Sequence, residues 1–121
     1  MERAARATGY LIAAALTALA FPATAATDDV AAGREIAIDA CSACHKVTSS
    51  QAQPAPVPDR DEMTEVKAPS FAVIAKLTGG DERILTQAIT EPKHPMREQE
   101  WRPEDLKVVI AYIRSLKHQT W

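Results

Sequence analysis

Large rings and thiols are both scarce in this chain. Phe, Trp and Tyr make up 5% of the 121 residues, and there are two cysteines. Two cysteines exclude a multi-disulfide scaffold. So few rings leave a small domain short of core volume, and a bound cofactor is one source of it. A basic excess is also missing. Lys and Arg number 14 against 16 Asp and Glu, for a formal net charge of -2, which removes any general affinity for nucleic acid. No apolar run reaches the ~18–20 residues that a spanning helix needs, so no membrane span is expected in the mature protein. What is present is an ordinary soluble balance, 46% hydrophobic and 25% charged, at a length that suits one domain.

The chain begins as exported proteins do. Arg3 and Arg6 form a positive start, Gly9 to Phe21 is apolar, and Pro22 ends the run. Ala23-Thr24-Ala25 supplies small residues for cleavage after Ala25 or Ala26. Residues 1–25 are therefore expected to be a cleaved signal peptide, and 26–121 the domain. There is no Arg-Arg pair, which favours general secretion to the periplasm. That compartment is oxidising, so two idle thiols are not expected there.

Periodicity in 26–121 is helical throughout, so an all-α fold is expected. A first helix from Asp28 or Asp29 to Ala43 would carry Val30, Gly33, Ala37, Ala40, Cys41 and Cys44 on one face. That face is made of small residues, and a close helix crossing would justify Gly33. Residues 48–67 hold Pro54, Pro56 and Pro58 and no apolar period, which predicts an exposed loop without strands. Pro69 precedes a short helix, Ser70 to Thr78, with Phe71, Ile74 and Leu77 inward and Gly79-Gly80 as its stop. Asp81 caps a helix to Thr90 whose apolar side is Ile84, Leu85, Ala88 and Ile89. Glu91 to Trp101 is irregular. Pro103 opens the last helix, with Leu106, Val109, Ile110, Ile113 and Leu116 as its stripe and Lys117 and His118 at its end.

The segment Cys41-Ser42-Ala43-Cys44-His45 carries the chemistry. Cys-x-x-Cys-His is the attachment signal for c-type haem. Two thiols must add across two vinyl groups of one porphyrin edge, and two intervening residues set the sulfurs about one helical turn apart. The adjacent His45 then reaches the iron. A thioredoxin-like pair would need a βαβ framework, zinc would need two more ligands, and a Cys41–Cys44 disulfide would constrain little. The expected cofactor is one covalent haem c with its iron.

A second axial ligand is wanted opposite His45. Met96 sits in the irregular stretch between Pro95 and Arg97, a poor place for core packing. A thioether favours ferrous iron and raises the potential. His94 and Met63 are the rivals, and His118 reads as a solvated partner of a helix end.

These residues resemble the small, single-haem class I cytochromes c of bacteria, over essentially the whole mature segment. Gly33, eight residues before Cys41, and the run Val109-Ile110-Ala111-Tyr112-Ile113 resemble the family's first and last helices. The resemblance implies that those helices cross, glycine against aromatic. It implies that Pro69 offers its carbonyl to the proximal His45 and that Trp101 holds the family's aromatic position after the ligand; Phe71 and Trp101 are the candidate pocket residues. His94-Pro95-Met96 is similar to the His-Pro-x-Met stretch of one subgroup. Two features depart from the family: a longer segment between His45 and Pro69, and the charges Arg97, Glu98 and Glu100 after Met96.

Two axial ligands leave no open iron position, and no acid–base or nucleophilic constellation is visible elsewhere. An electron carrier is expected rather than an enzyme, in a monomer whose protein partners are a periplasmic dehydrogenase or an oxidase or reductase. Phe71, Ile74, Leu77, Ile84, Leu85 and Ile89 are the candidate apolar walls. Lys46, Lys93 and Arg97 would form a positive rim that steers an acidic partner. A gas-binding sensor and an electron-input subunit of a dehydrogenase complex are the alternatives.

Overall fold

The computed structural model describes residues 24–121. The element order is α1 (Thr24–Cys41), β1 (Val57–Asp59), β2 (Thr64–Val66), α2 (Phe71–Thr78), α3 (Glu82–Thr90) and α4 (Pro103–Ser115). The helical architecture expected from periodicity is present. Residues 1–23 of the expected signal peptide lie outside the described residues, whereas its last two, Thr24 and Ala25, fall in α1. Among the described residues no helix is long and apolar enough to cross a membrane.

The first and last helices form the frame, α1 packing more extensively on α4 than any other pair of elements. Gly33 makes that approach feasible. A Cβ built there would lie 1.9 Å from the Val108 carbonyl oxygen and 3.0 Å from the Tyr112 Cβ. Helix α4 also touches α2 and α3. The core therefore gathers around its inward stripe, Val109, Ile110, Tyr112, Ile113 and Leu116, with Ala37, Phe71, Leu85 and Ile89 from the other helices.

Local chemistry sets the shorter boundaries. Ser70 and Asp81 cap α2 and α3 by accepting from Val73 N and Ile84 N. Gly79 ends α2 at φ +61°, where a Cβ would be strained. Pro103 opens α4, with Glu104 and Asp105 beside its positive end.

Five expectations need correction. Helix α1 already includes Thr24, so Asp28 and Asp29 are interior residues and not caps, and it stops at Cys41 and not Ala43. Ala40 turns outward and leaves the small-residue face. The 48–67 segment does hold strands: β1 and β2 pair antiparallel, Val57 opposite Val66. Pro58 is tolerated because each strand of a two-stranded ribbon has an unpaired edge. The buried Asp59 closes the turn by accepting from Asp61 N at 3.0 Å and Glu62 N at 3.4 Å. Leu77 is 79% and Ile84 41% exposed, so neither forms an inner wall. In α2 the inward stripe is Phe71, Ala72 and Ala75, which leaves Val73 and Leu77 on the other side. Finally, α4 ends at Ser115 with Arg114 in its last turn, and Lys117 and His118 lie beyond it.

Candidate haem-attachment site

Helix α1 delivers the two thiols at its end. Past Cys41 the chain tightens, and the amides of Cys44 and His45 both donate to the Cys41 carbonyl, at 3.2 and 2.9 Å. Cys41 and Cys44 are unpaired and partly buried. Burial, then the neighbouring Cys44, pushes the Cys41 thiol up to about 11. No disulfide joins them, the only sheet among the described residues is the short ribbon, and no group of three or more His, Cys, Asp or Glu side chains among those residues could hold a metal ion. The thioredoxin, zinc and disulfide readings therefore find no support here.

The imidazole of His45 is fixed from behind. Its Nδ1 donates to the Pro69 carbonyl oxygen at 2.7 Å. Donation from Nδ1 sets the ring plane and the tautomer, and it leaves Nε2 as the free donor atom for iron. Phe71 stands against the ring, with centroids 5.7 Å apart, and Tyr112 stands against Phe71 at 6.3 Å. The Phe71 amide donates to the Lys46 carbonyl at 3.0 Å, so the loop after His45 and the start of α2 hold each other. The hydrogen bond that the resemblance implies between Pro69 and His45 is present.

The other candidate residues lie on the segment between α3 and α4. Met96 is 38% exposed. Its amide donates to the Lys93 carbonyl at 3.0 Å across a turn that contains the cis His94–Pro95 peptide. Pro92, His94, Pro95, Met96, Arg97 and Glu98 line an open cleft of about 420 Å³. His94 Nδ1 lies 3.7 Å from Asp61 Oδ2 in the ribbon turn, which gives that ring a partner other than iron. Met63, the other rival, is 90% exposed in the same turn. Trp101 is half-buried against the core, and its indole Nε1 is buried with no hydrogen-bond partner. An orphaned donor of that kind wants an acceptor that the protein does not supply. Two unpaired thiols one turn apart, a pre-oriented imidazole, an accessible thioether and this orphaned donor fit a haem.

Sequence reasoning missed the brace of this site. Gln51 Oε1 accepts from Val47 N at 2.9 Å, and its Nε2 donates to the carbonyls of Ser42 at 2.8 Å and His45 at 3.0 Å. One amide side chain thereby spans the attachment peptide. No motif marks it, because a glutamine in an aperiodic, Pro-rich segment looks like solvent-facing filler. Tyr112 adds a second tie, its hydroxyl donating to the Val47 carbonyl. Burial raises that hydroxyl's pKa, so it stays a donor across the ordinary pH range.

Comparison with known proteins agrees with this geometry. The searches of curated proteins and of solved structures each returned no match. The family model described as cytochrome c matches residues 30–117, a span that begins in α1 and takes in the attachment peptide, both strands and every later helix. Proteins of that kind are haem-based electron carriers that exchange electrons with redox partner proteins, and the chain belongs to the cytochrome c family.

Proposed function

We propose that this protein shuttles single electrons in the periplasm through one haem c bound by thioether links to Cys41 and Cys44. His45 and Met96 are the axial ligands in this reading. The haem supplies a one-electron couple between ferrous and ferric iron. The observation that carries the proposal is the His45 Nδ1 to Pro69 hydrogen bond at 2.7 Å, beside two unpaired thiols on the same turn. The bond keeps the ring in one orientation through a redox cycle, and it makes Nε2 a stronger donor. Met96 offers a soft, neutral sulfur that favours the ferrous state. Phe71 packs its ring against the imidazole, and apolar surroundings of that kind disfavour the extra charge of the ferric state. The Trp101 indole is suited to donate to a haem carboxylate.

Export follows from the first 25 residues, with cleavage after Ala25 or Ala26. The carrier then works as a monomer with a dehydrogenase, or with an oxidase or reductase, in that compartment. A gas-binding role is the second reading. It is favoured by the partial exposure of Met96 on a segment tied by few hydrogen bonds.

The deciding experiment expresses the full chain with haem-attachment machinery. A denaturing gel should stain for haem, and the ferrous protein should resist carbon monoxide. Met96→Ala should lower the reduction potential and admit carbon monoxide. Rapid carbon monoxide binding by the unmodified protein would replace the carrier reading with the sensor one. An unchanged spectrum in Met96→Ala would move the ligand to His94 or Met63.

A further inference from the structure

Two clefts flank the candidate haem site, and their charges differ. The Met96 cleft is mixed, since Arg97 and Glu98 both line it and Asp61 lies beside His94. The second cleft, of about 320 Å³, is lined by Lys46, Gln53, Lys67, Ala68, Pro69, Ser70, Val73 and Trp121. Its lining side chains include two lysines and no Asp or Glu. Neither lysine forms an ion pair among the described residues. Lys46 Nζ lies 5.7 Å from the Trp121 ring centroid, and Ser70 Oγ donates to the Trp121 carbonyl at 2.9 Å, so the aromatic wall is fixed.

An apolar stripe runs out from this cleft. Val73, in its wall, is 43% exposed, and Leu77, one turn further along α2, is 79% exposed. The inward side of α2 belongs to Phe71, Ala72 and Ala75, so among the described residues the stripe stays exposed. An exposed aliphatic pair beside a fixed indole and two unpaired lysines has the anatomy of a protein interface: apolar centre, charged rim.

We infer that Lys46, Lys67, Val73, Leu77 and Trp121 form the docking surface for an acidic redox protein. This rests on the electron-carrier reading and names the partner's chemistry and its landing place. Pro69 lines the same cleft, and its carbonyl accepts the His45 bond, so a docked partner lies one hydrogen bond from the proximal ring. In each encounter one electron passes between the haem iron and the partner's centre, and no atom or proton moves. Carboxylates on the partner meet the two lysines, and its apolar patch covers Val73 and Leu77. The positive rim expected from the sequence shifts accordingly. Lys46 stays, Lys67 joins it, and Lys93 and Arg97 leave it.

The test uses haem-loaded protein and two probes. The redox-inert trianion hexacyanochromate(III) is paramagnetic and broadens nearby NMR signals of the ferrous protein. It should broaden the amides of Lys46, Lys67 and Ala68 and the indole of Trp121, and salt at about 0.3 M should abolish the effect. The second probe is an oxidised acidic blue-copper protein, which takes one electron from the ferrous haem. Lys67→Glu should slow that reaction about tenfold at low salt, with no change in reduction potential. Arg83→Glu, an equal charge change on α3, should stay within about twofold. Leu77→Ser should slow the reaction about threefold at any salt concentration. Broadening centred on Arg97, or a larger loss from Lys93→Glu than from Lys67→Glu, would overturn the surface and leave the carrier reading intact. Sedimentation showing a dimer that Leu77→Ser dissolves would assign the stripe to a second copy and overturn it too. A chain that takes up no haem would fail the gel stain first and remove the carrier reading itself.

Discussion

The two sides of the candidate haem site are built differently. On the His45 side, the carbonyls of Pro69 and Lys46 accept from His45 and Phe71, Gln51 spans the attachment peptide, and the Tyr112 hydroxyl donates to Val47 in the loop that follows. On the Met96 side, the ligand candidate rides on a turn closed by one backbone hydrogen bond. The nearest ion pair, His94 with Asp61, is long and exposed. A ligand held by many bonds keeps its geometry whatever the oxidation state. One held by few can yield. His45 is thus held by several bonds and the Met96 turn by one, and the proposed carrier and sensor readings differ on the Met96 side alone.

The sharpest way to break this contrast is through Cys41. Its thiol, pushed up to about 11 by burial and then by Cys44, should alkylate about a hundredfold more slowly at pH 8 in the folded haem-free chain than a free thiol. The sign for stability follows. A raised thiol pKa stabilises the fold fully below the unfolded value near 9.0, and that contribution is lost as pH climbs through 11. Alkylation with a midpoint near 9 would show that the attachment side is open without haem.

Gly33→Ala comes next. The added methyl meets backbone at 1.9 Å, so α1 and α4 must part, at a cost of about 3 kcal/mol in denaturant unfolding. Gln51→Ala should cost about 2 kcal/mol, since it strands the Val47 amide and two carbonyls. Asp61→Asn should cost less than about 0.5 kcal/mol, because both partners are exposed. Urea titrations of the last two variants test the contrast directly. If Asp61→Asn proved the more damaging, the Met96 side would be the better anchored one.

Much of this was legible in the residues themselves. Caps, stops and spacing announce α2, α3 and the start of α4 nearly to the residue, because Ser70, Asp81, Gly79 and Pro103 act locally. Cys41, Cys44 and His45 were legible because covalent attachment demands one spacing. Pro69 and the Gly33 crossing came by resemblance, and the distances now agree with it. The ribbon was hidden because its strands have three residues each and contain a proline. Leu77 and Ile84 look like core in the sequence because apolar residues at helical spacing usually are. Which side of a helix turns inward depends on its neighbours, and that is a tertiary fact. Gln51 and Trp121 carry no local signal at all, since the backbone groups that Gln51 bridges and the Ser70 hydroxyl and Lys46 that meet Trp121 are brought there only by the fold.

The crossing at Gly33 and Val108 joins positions near opposite ends of the described chain. A polypeptide is made from its amino end, so the peptide from Cys41 to His45 emerges well before α4 exists. Until that last stretch is available, α1 lacks the neighbour on which it packs most extensively. Packing of α4 on α1 therefore comes last, and it completes the core against which Cys41 rests.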